Sequence, residues 1–130
     1  MSLRTMLKSK IHRVRVTGLS VGYEGSIAID KRLMDEADLL PYEQVQVLDV
    51  NNGARFTTYA IEALEGSGQV CINGAAARLA KKGDIIIILS YIQLTEEQLL
   101  DYAPRLVYVD AKNRITETTR LRRVIDSLPF

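Results

Sequence analysis

The chain is poor in the residues that staple small domains together. It holds one cysteine, Cys71, one histidine, His12, and no tryptophan in 130 residues. One cysteine cannot close an internal disulfide, and one cysteine with one histidine cannot complete a four-ligand zinc site. No metal is expected, and a lone thiol suits the reducing cytoplasm. Aromatic residues make up only 6% and the net charge is +1. Nucleic-acid modules favour stacking rings and a basic surface, so a small non-catalytic nucleic-acid barrel is disfavoured. No apolar run approaches the roughly 20 residues of a membrane span, and the N-terminus lacks the apolar core of a secretion signal. Neither nucleic acid nor membrane is an expected partner. With 47% hydrophobic and 25% charged residues, the chain has enough apolar material for one self-sufficient domain.

Segments are short and the turn signals dense, which points to a mainly β fold. Alternation over residues 11–17 predicts a strand with Lys10, His12, Val14 and Val16 on one face. Gly18 and Gly22 bracket a loop into Tyr23-Glu24-Gly25-Ser26, and an apolar stretch follows over 27–29. Asp30 reads as the N-cap of a short helix burying Leu33, Met34 and Ala37, stopped by Pro41. Val45 and Val47 alternate while Leu48 and Val50 change phase, which predicts a β-bulge near Leu48. Asn51-Asn52-Gly53 predicts a tight hairpin turn into a strand over 55–62. A turn at Gly66-Ser67-Gly68, a strand over 69–72 and a short helix opened by Asn73 come next. The run over 85–89 reads as a strand buried on both faces. Thr95-Glu96-Glu97-Gln98 is a capping box for a helix through Leu100, with Pro104 beyond its end, and residues 106–109 make a last strand. A single domain over 1–113 is expected. Residues 114–130, polar and basic with Leu121 and Val124 as isolated apolar points, read as a tail, mobile or docked on a neighbour.

Taken singly, the candidate chemical residues have ordinary explanations. Gly25-Ser26 is a turn pair, Arg55 and Tyr59 a solvated strand face, and Asn73 a helix cap. Lys10, Arg13 and Arg15 blunt an edge strand, His12 is structural, and Cys71 in an apolar strand is inert core. Their joint occurrence says more. Lys10-Ile11-His12-Arg13, Tyr23-Glu24-Gly25-Ser26, Asn52-Gly53-Ala54-Arg55-Phe56-Thr57-Thr58-Tyr59 and Asn73-Gly74-Ala75-Ala76-Ala77 occur in this order, with Gly83-Asp84 leading into the isoleucine-rich strand. Together they closely resemble the pyruvoyl-dependent aspartate 1-decarboxylases, from about residue 4 to about residue 108.

That resemblance implies a small closed six-stranded double-psi β-barrel with short connecting helices, assembled as a homotetramer with sites between subunits. It implies cleavage of the backbone between Gly25 and Ser26, giving fragments 1–25 and 26–130. The larger would begin with a covalent pyruvoyl group derived from Ser26, with no pyridoxal phosphate and no metal. The chemistry is sound: a serine hydroxyl beside the Gly25 carbonyl can drive an N-to-O acyl shift, and glycine tolerates strained geometry. Thr58 is then the implied helper of self-cleavage. The pyruvoyl carbonyl would form an imine with L-aspartate and act as electron sink, with Tyr59 returning a proton to the carbanion. Lys10 and Arg55 would hold carboxylate, Asn73 would hydrogen-bond the intermediate, and Gly74, Ala75 and Ala76 would offer backbone amides. The product, β-alanine, would feed pantothenate and so coenzyme A synthesis. Ala28 stands where many relatives carry threonine, a change expected to touch packing only.

Two points stay open in the sequence. Strand alternation puts Arg55, Thr57 and Tyr59 on one face and Thr58 on the other. Either the strand is distorted there, or cleavage and substrate pocket lie on different sides, in different subunits. A longer acidic substrate such as glutamate would be rejected only moderately on sterics.

Overall fold

The computed structural model describes residues 2–120. Among them are nine strands: β1 (Leu3–Arg15), β2 (Gly18–Ser20), β3 (Ser26–Asp30), β4 (Gln44–Asp49), β5 (Arg55–Ala63), β6 (Val70–Asn73), β7 (Ile85–Thr95), β8 (Arg105–Val109) and β9 (Ile115–Arg120). One short helix, α1 (Lys31–Glu36), follows β3, and 3-10 turns occupy Gly74–Leu79 and Glu97–Leu99.

The mainly β class with short helices is as expected, but strand number and closure are not. The hydrogen-bonded order is β2-β6-β3-β5-β4-β7-β1-β8-β9, with β2 and β9 at the two ends. Nine strands in an open order therefore replace the expected closed six. Two of the three additional strands are short segments that find a free edge. β2 runs parallel to β6, and β9 runs antiparallel to β8. Residues 115–120, read as tail from sequence, thus belong to the sheet. A turn reverses the chain there, with Asp110 N donating to Arg114 O at 2.9 Å and Asn113 N to Asp110 O at 3.0 Å. The remainder of the tail, including Leu121 and Val124, lies outside the described residues.

Ile11, Ile27, Ile29, Leu33, Ile72, Ile86 and Ile88 form the centre of one core, each at most 1% exposed. Burying such a side chain contributes about 1.5–3 kcal/mol before entropy is counted. Asp30 anchors the site-bearing strand to this core. Its carboxylate caps α1 through Arg32 N at 2.9 Å. It also accepts Gly66 N at 2.9 Å and Gly68 N at 2.8 Å, tying the end of β3 to the 66–68 turn.

Three local expectations are corrected. β1 begins at Leu3, and its register against β7 shifts between Leu7 and Ser9 and again between Ile11 and Val14. Arg13 takes φ 64° at the second shift. Ile11 and Val14 are therefore both buried, and Lys10 and His12 do not share the face of Val14 and Val16. In β4 no bulge occurs at Leu48: pairing with β5 and β7 is continuous, and Asp49 takes the next buried position. Its Oδ1 accepts Asn51 N at 2.8 Å and Asn52 N at 3.2 Å, which builds the hairpin turn and leaves Val50 exposed. β7 is not buried on both faces. Ile86 and Ile88 are buried while Ile85, Ile87 and Leu89 are partly exposed.

Candidate active site

Ser26 opens β3 with 2% of its surface exposed, directly after the loop that carries Gly25. In the antiparallel β3–β6 pair it faces Asn73, the last residue of β6. Asn73 Nδ2 donates to Ser26 Oγ at 2.9 Å, and Asn73 is itself 6% exposed. The hydroxyl is thus desolvated and held by one amide donor, with lone-pair density left for another contact. Behind this pair the chain bends at Gly74, φ 75°. A Cβ there would come within 2.7 Å of Gly25 Cα and 2.9 Å of Gly25 N. Gly74 therefore lies flat against the Gly25–Ser26 junction.

Gly25 itself has room on both counts that restrict a side chain. Its φ is not in the left-handed region, and a Cβ built on it meets nothing within 4 Å.

β5 runs parallel to β3, with Ile27 opposite Ala60, so Ser26 and Tyr59 stand one position earlier on their strands. Ala60 is fully buried and Thr58 half-buried on the inner face, whereas Arg55, Thr57 and Tyr59 are exposed on the outer one. Pairing of β5 with β4 from Arg55 to Tyr59 is unbroken. Strand distortion, one of the two alternatives for Thr58 and Tyr59, is thus not what the structure contains. Tyr59 is 37% exposed, and its ring lies 6.3 Å from that of Tyr42, a neighbour that sequence reasoning missed.

Not every expected site residue gathers around Ser26. Arg55 sits opposite Leu48 at the start of β5, four residues or about 13 Å before Tyr59. Lys10 pairs with Leu89 and Leu106 on β1, and three strands separate β1 from β3 in the sheet order. Among the described residues neither cation has an ion-pair partner. Gly74 is buried, Ala75 exposed and Ala76 half-buried at the start of the 3-10 turn. A cavity of about 490 Å³ is lined by Gln44, Gln46, Thr57 and Tyr91, and one of about 320 Å³ by His12, Arg13, Arg15 and Tyr108. Neither includes Ser26.

His12 packs edge-on against Tyr108 at 5.7 Å, and its Nδ1 is buried without a hydrogen-bond partner among the described residues. Burial pushes its pKa below the ordinary histidine value, and the charges of Lys10 and Arg13 push the same way. Cys71, read from sequence as inert core, is only half-buried, and its thiol donates to Asn73 Oδ1 at 3.3 Å. Among the described residues no cluster of three metal-ligating side chains forms.

Residues 1–116 match the family model for aspartate decarboxylase. This chain belongs to that family. An aspartate 1-decarboxylase of Dehalococcoides mccartyi (strain CBDB1) is 63% identical over 112 residues, covering 86% of this chain and 90% of that protein. One from Thermoanaerobacter pseudethanolicus is 59% identical over 111 residues, covering 85% and 95%. One from Methylococcus capsulatus is 57% identical over 115 residues, covering 88% and 91%. Among solved structures, a rationally designed protein overlays 62% of this chain and 94% of its own at TM-score 0.46 with 16% identity, too loosely to bear on the fold. Within this decarboxylase, Gly25, Ser26, Asn73 and Gly74 form one compact group in a single chain. Arg55, at the other end of β5, and Lys10, on β1, are not part of that hydrogen-bonded group.

Proposed function

We propose that this aspartate decarboxylase converts L-aspartate to β-alanine and carbon dioxide with a pyruvoyl group that it makes from its own Ser26. The observation that carries the reading is the buried hydrogen bond from Asn73 Nδ2 to Ser26 Oγ at the Gly25 junction. The same hydroxyl lies beside a backbone pressed against the preceding glycine, so the nucleophile and the bond to be cut share one enclosed position.

Self-cleavage begins when Ser26 Oγ attacks the Gly25 carbonyl carbon. The C–N bond breaks, an ester forms, and the hydroxyl proton passes to the Ser26 nitrogen. Loss of the Ser26 α-proton expels the Gly25 carboxylate and leaves dehydroalanine, which water converts to pyruvoyl with release of ammonia. Thr58 serves the first step as a donor to the tetrahedral oxyanion, and its place on the inner face of β5 beside β3 supports that role.

The residues present fit the group: Ser26 is enclosed, and Asn73 offers an amide within hydrogen-bond reach of its side-chain position. When formed, the pyruvoyl carbonyl supplies an electrophile for the substrate amine and a sink for the electrons released with carbon dioxide. The chain's own residues do the rest. Arg55 presents a bidentate fork to a substrate carboxylate, and Lys10 adds positive charge. Backbone amides of Gly74, Ala75 and Ala76 line the approach, and the Tyr59 hydroxyl delivers the proton that replaces carbon dioxide.

Because Arg55 and Lys10 lie away from Ser26 within one chain, we assign them to a neighbour's site, in a homotetramer. The double-psi crossing, a place in pantothenate synthesis, and the cytoplasm as compartment belong to the same reading. Interleaved parallel and antiparallel pairs around β3 support the first, and the free Cys71 thiol supports the last.

Intact-mass measurement joined to a β-alanine assay tests the proposal. Purified protein should contain fragments 1–25 and 26–130, the larger lacking a free amine. Ser26→Ala should stay whole and inactive. A preparation that decarboxylates aspartate while showing only the intact mass would refute the pyruvoyl route.

A further inference from the structure

β6 places Cys71 and Asn73 two residues apart, so their side chains leave the same face of the strand. The two residues paired with Cys71 across that face are Gly18 of β2 and Ala28 of β3. Neither carries a polar side-chain atom, and a Cβ on Gly18 would already touch Cys71 Sγ at 3.4 Å. Within this apolar bracket the thiol turns to Asn73 Oδ1 at 3.3 Å. Asn73 then spends its other side-chain atom, Nδ2, on Ser26 Oγ at 2.9 Å. The three side chains form a hydrogen-bonded line from Cys71 along β6 to Ser26 on β3.

A carboxamide has two ends of nearly equal shape and opposite function. If Oδ1 faced Ser26, it would accept the hydroxyl proton and pull it away from other acceptors. With Nδ2 there, the hydroxyl proton stays free to move to the nitrogen that leaves Gly25. The thiol behind the carboxamide favours the second orientation, because its S–H donates to Oδ1, whereas the flipped carboxamide would leave Nδ2–H only a weak sulfur acceptor.

We propose that Cys71 is a positioning residue for self-cleavage, its thiol fixing the Asn73 carboxamide so that Nδ2 faces Ser26 Oγ. This rests on the reading of Gly25–Ser26 as a self-cleavage site. Cys71 touches no reacting atom and acts only through Asn73.

The rate at which intact chain is converted to fragments 1–25 and 26–130 reads the effect, followed by mass spectrometry after expression and purification under conditions that slow cleavage. Cys71→Val keeps the volume and strand propensity but removes the donor. It should slow cleavage about 3- to 10-fold, the worth of one modest neutral hydrogen bond. Cys71→Ala provides the same loss with no added branching, should valine crowd the strand. Cys71→Ser restores an O–H donor and should cut at the wild-type rate or faster. Packing alone would treat serine and alanine alike. A pH series adds a readout that packing does not move. Burial pushes the Cys71 thiol above its ordinary value, so the wild-type rate relative to Cys71→Ser should hold through neutral pH and fall only in the alkaline range where the thiol ionises. Val, Ala and Ser variants that all cut at the wild-type rate would overturn the inference while leaving the self-cleavage reading intact. So would a serine variant as slow as valine with an unchanged melting temperature. If wild-type protein itself never cuts, the underlying reading fails and this inference with it.

Discussion

Gly74 lies so close to Gly25 that a Cβ on Gly74 would stand 2.7 Å from Gly25 Cα. Space and backbone conformation act together at this point, since Gly74 also takes φ 75°. Gly74→Ala should therefore cost about 1–3 kcal/mol of stability from the left-handed conformation, with the clash added. It should also displace the Gly25–Ser26 bond and slow its cleavage. For stability alone Gly25→Ala is the control, because a Cβ there meets nothing within 4 Å and its φ is not positive. Melting curves should separate the two variants, and a Gly74→Ala protein as stable as Gly25→Ala and as fully cut as the wild type would contradict the close approach.

A second relationship, between Asp49 and Asp84, governs stability against pH. Asp49 Oδ2 is buried without a hydrogen-bond donor, and Oδ1 takes the two turn amides. Burial, and after it the neighbouring Asp84 carboxyl, hold the Asp49 carboxyl above the ordinary carboxylate value, while Asp49 holds Asp84 below it. The stabilisation from Asp49 is thus complete below the ordinary carboxylate range and is lost as pH rises through its raised pKa. That from Asp84 runs oppositely, present above the ordinary range and lost as pH falls through its lowered pKa. Asp49→Asn keeps the Oδ1 acceptor and gives Asp84 a permanent N–H donor. Its melting temperature should exceed that of the wild type by about 2–5 °C near pH 8 and match it near pH 3. Equal melting temperatures at both pH values would show that the two carboxyls do not share a proton.

Legibility in the sequence followed how local each cause was. The Asp30 cap, the Asn51-Asn52-Gly53 turn and the Thr95–Gln98 capping box each depend on neighbours in the chain, and each is in place. Asp49 misled because a buried position was filled by a carboxylate, so apolar alternation broke where structural alternation did not. The shift at Arg13 left no mark, since an extra residue in a bulge is defined by the partner strand. Strand order and closure are tertiary properties of the same kind. At the site, Ser26 and Asn73 lie 47 residues apart and were linked only by resemblance to the family, yet they share a hydrogen bond. Cys71 reads as filler in an apolar strand, and its hydrogen bond to Asn73 is set by a side-chain orientation that the sequence does not display.

If Arg55 serves a neighbour's Ser26, two inactive proteins should complement each other. Ser26→Ala chains lack the reacting group but keep Arg55, and Arg55→Ala chains have the reverse. Co-assembled in equal amounts, about a quarter of sites would pair an intact Ser26 with an intact Arg55 from the adjoining chain. β-alanine production should then reach about that fraction of wild type. No recovery in verified mixed oligomers would return Arg55 to its own chain's site.

The last prediction separates cutting from turnover, and it uses two adjacent residues. Thr58 and Tyr59 occupy opposite faces of an unbroken β5, Thr58 half-buried and Tyr59 exposed. A hydroxyl on the inner face beside β3 can reach chemistry at Gly25, whereas one on the outer face meets substrate entering from solvent or from a partner. Thr58→Ala should leave the backbone whole, because the developing oxyanion loses its donor, so turnover is never tested in that protein. Tyr59→Phe should cut normally, since the ring still fills its place against Tyr42. Without the phenol, though, no proton is delivered to the carbon that has lost carbon dioxide, and β-alanine formation should drop about 100- to 10,000-fold. KM for aspartate should change little, because the phenol acts after binding. One gel and one amino-acid assay on each variant suffice. Should Tyr59→Phe turn over aspartate at the wild-type rate, the proton comes from another group, and the division of labour between the two faces of β5 does not hold.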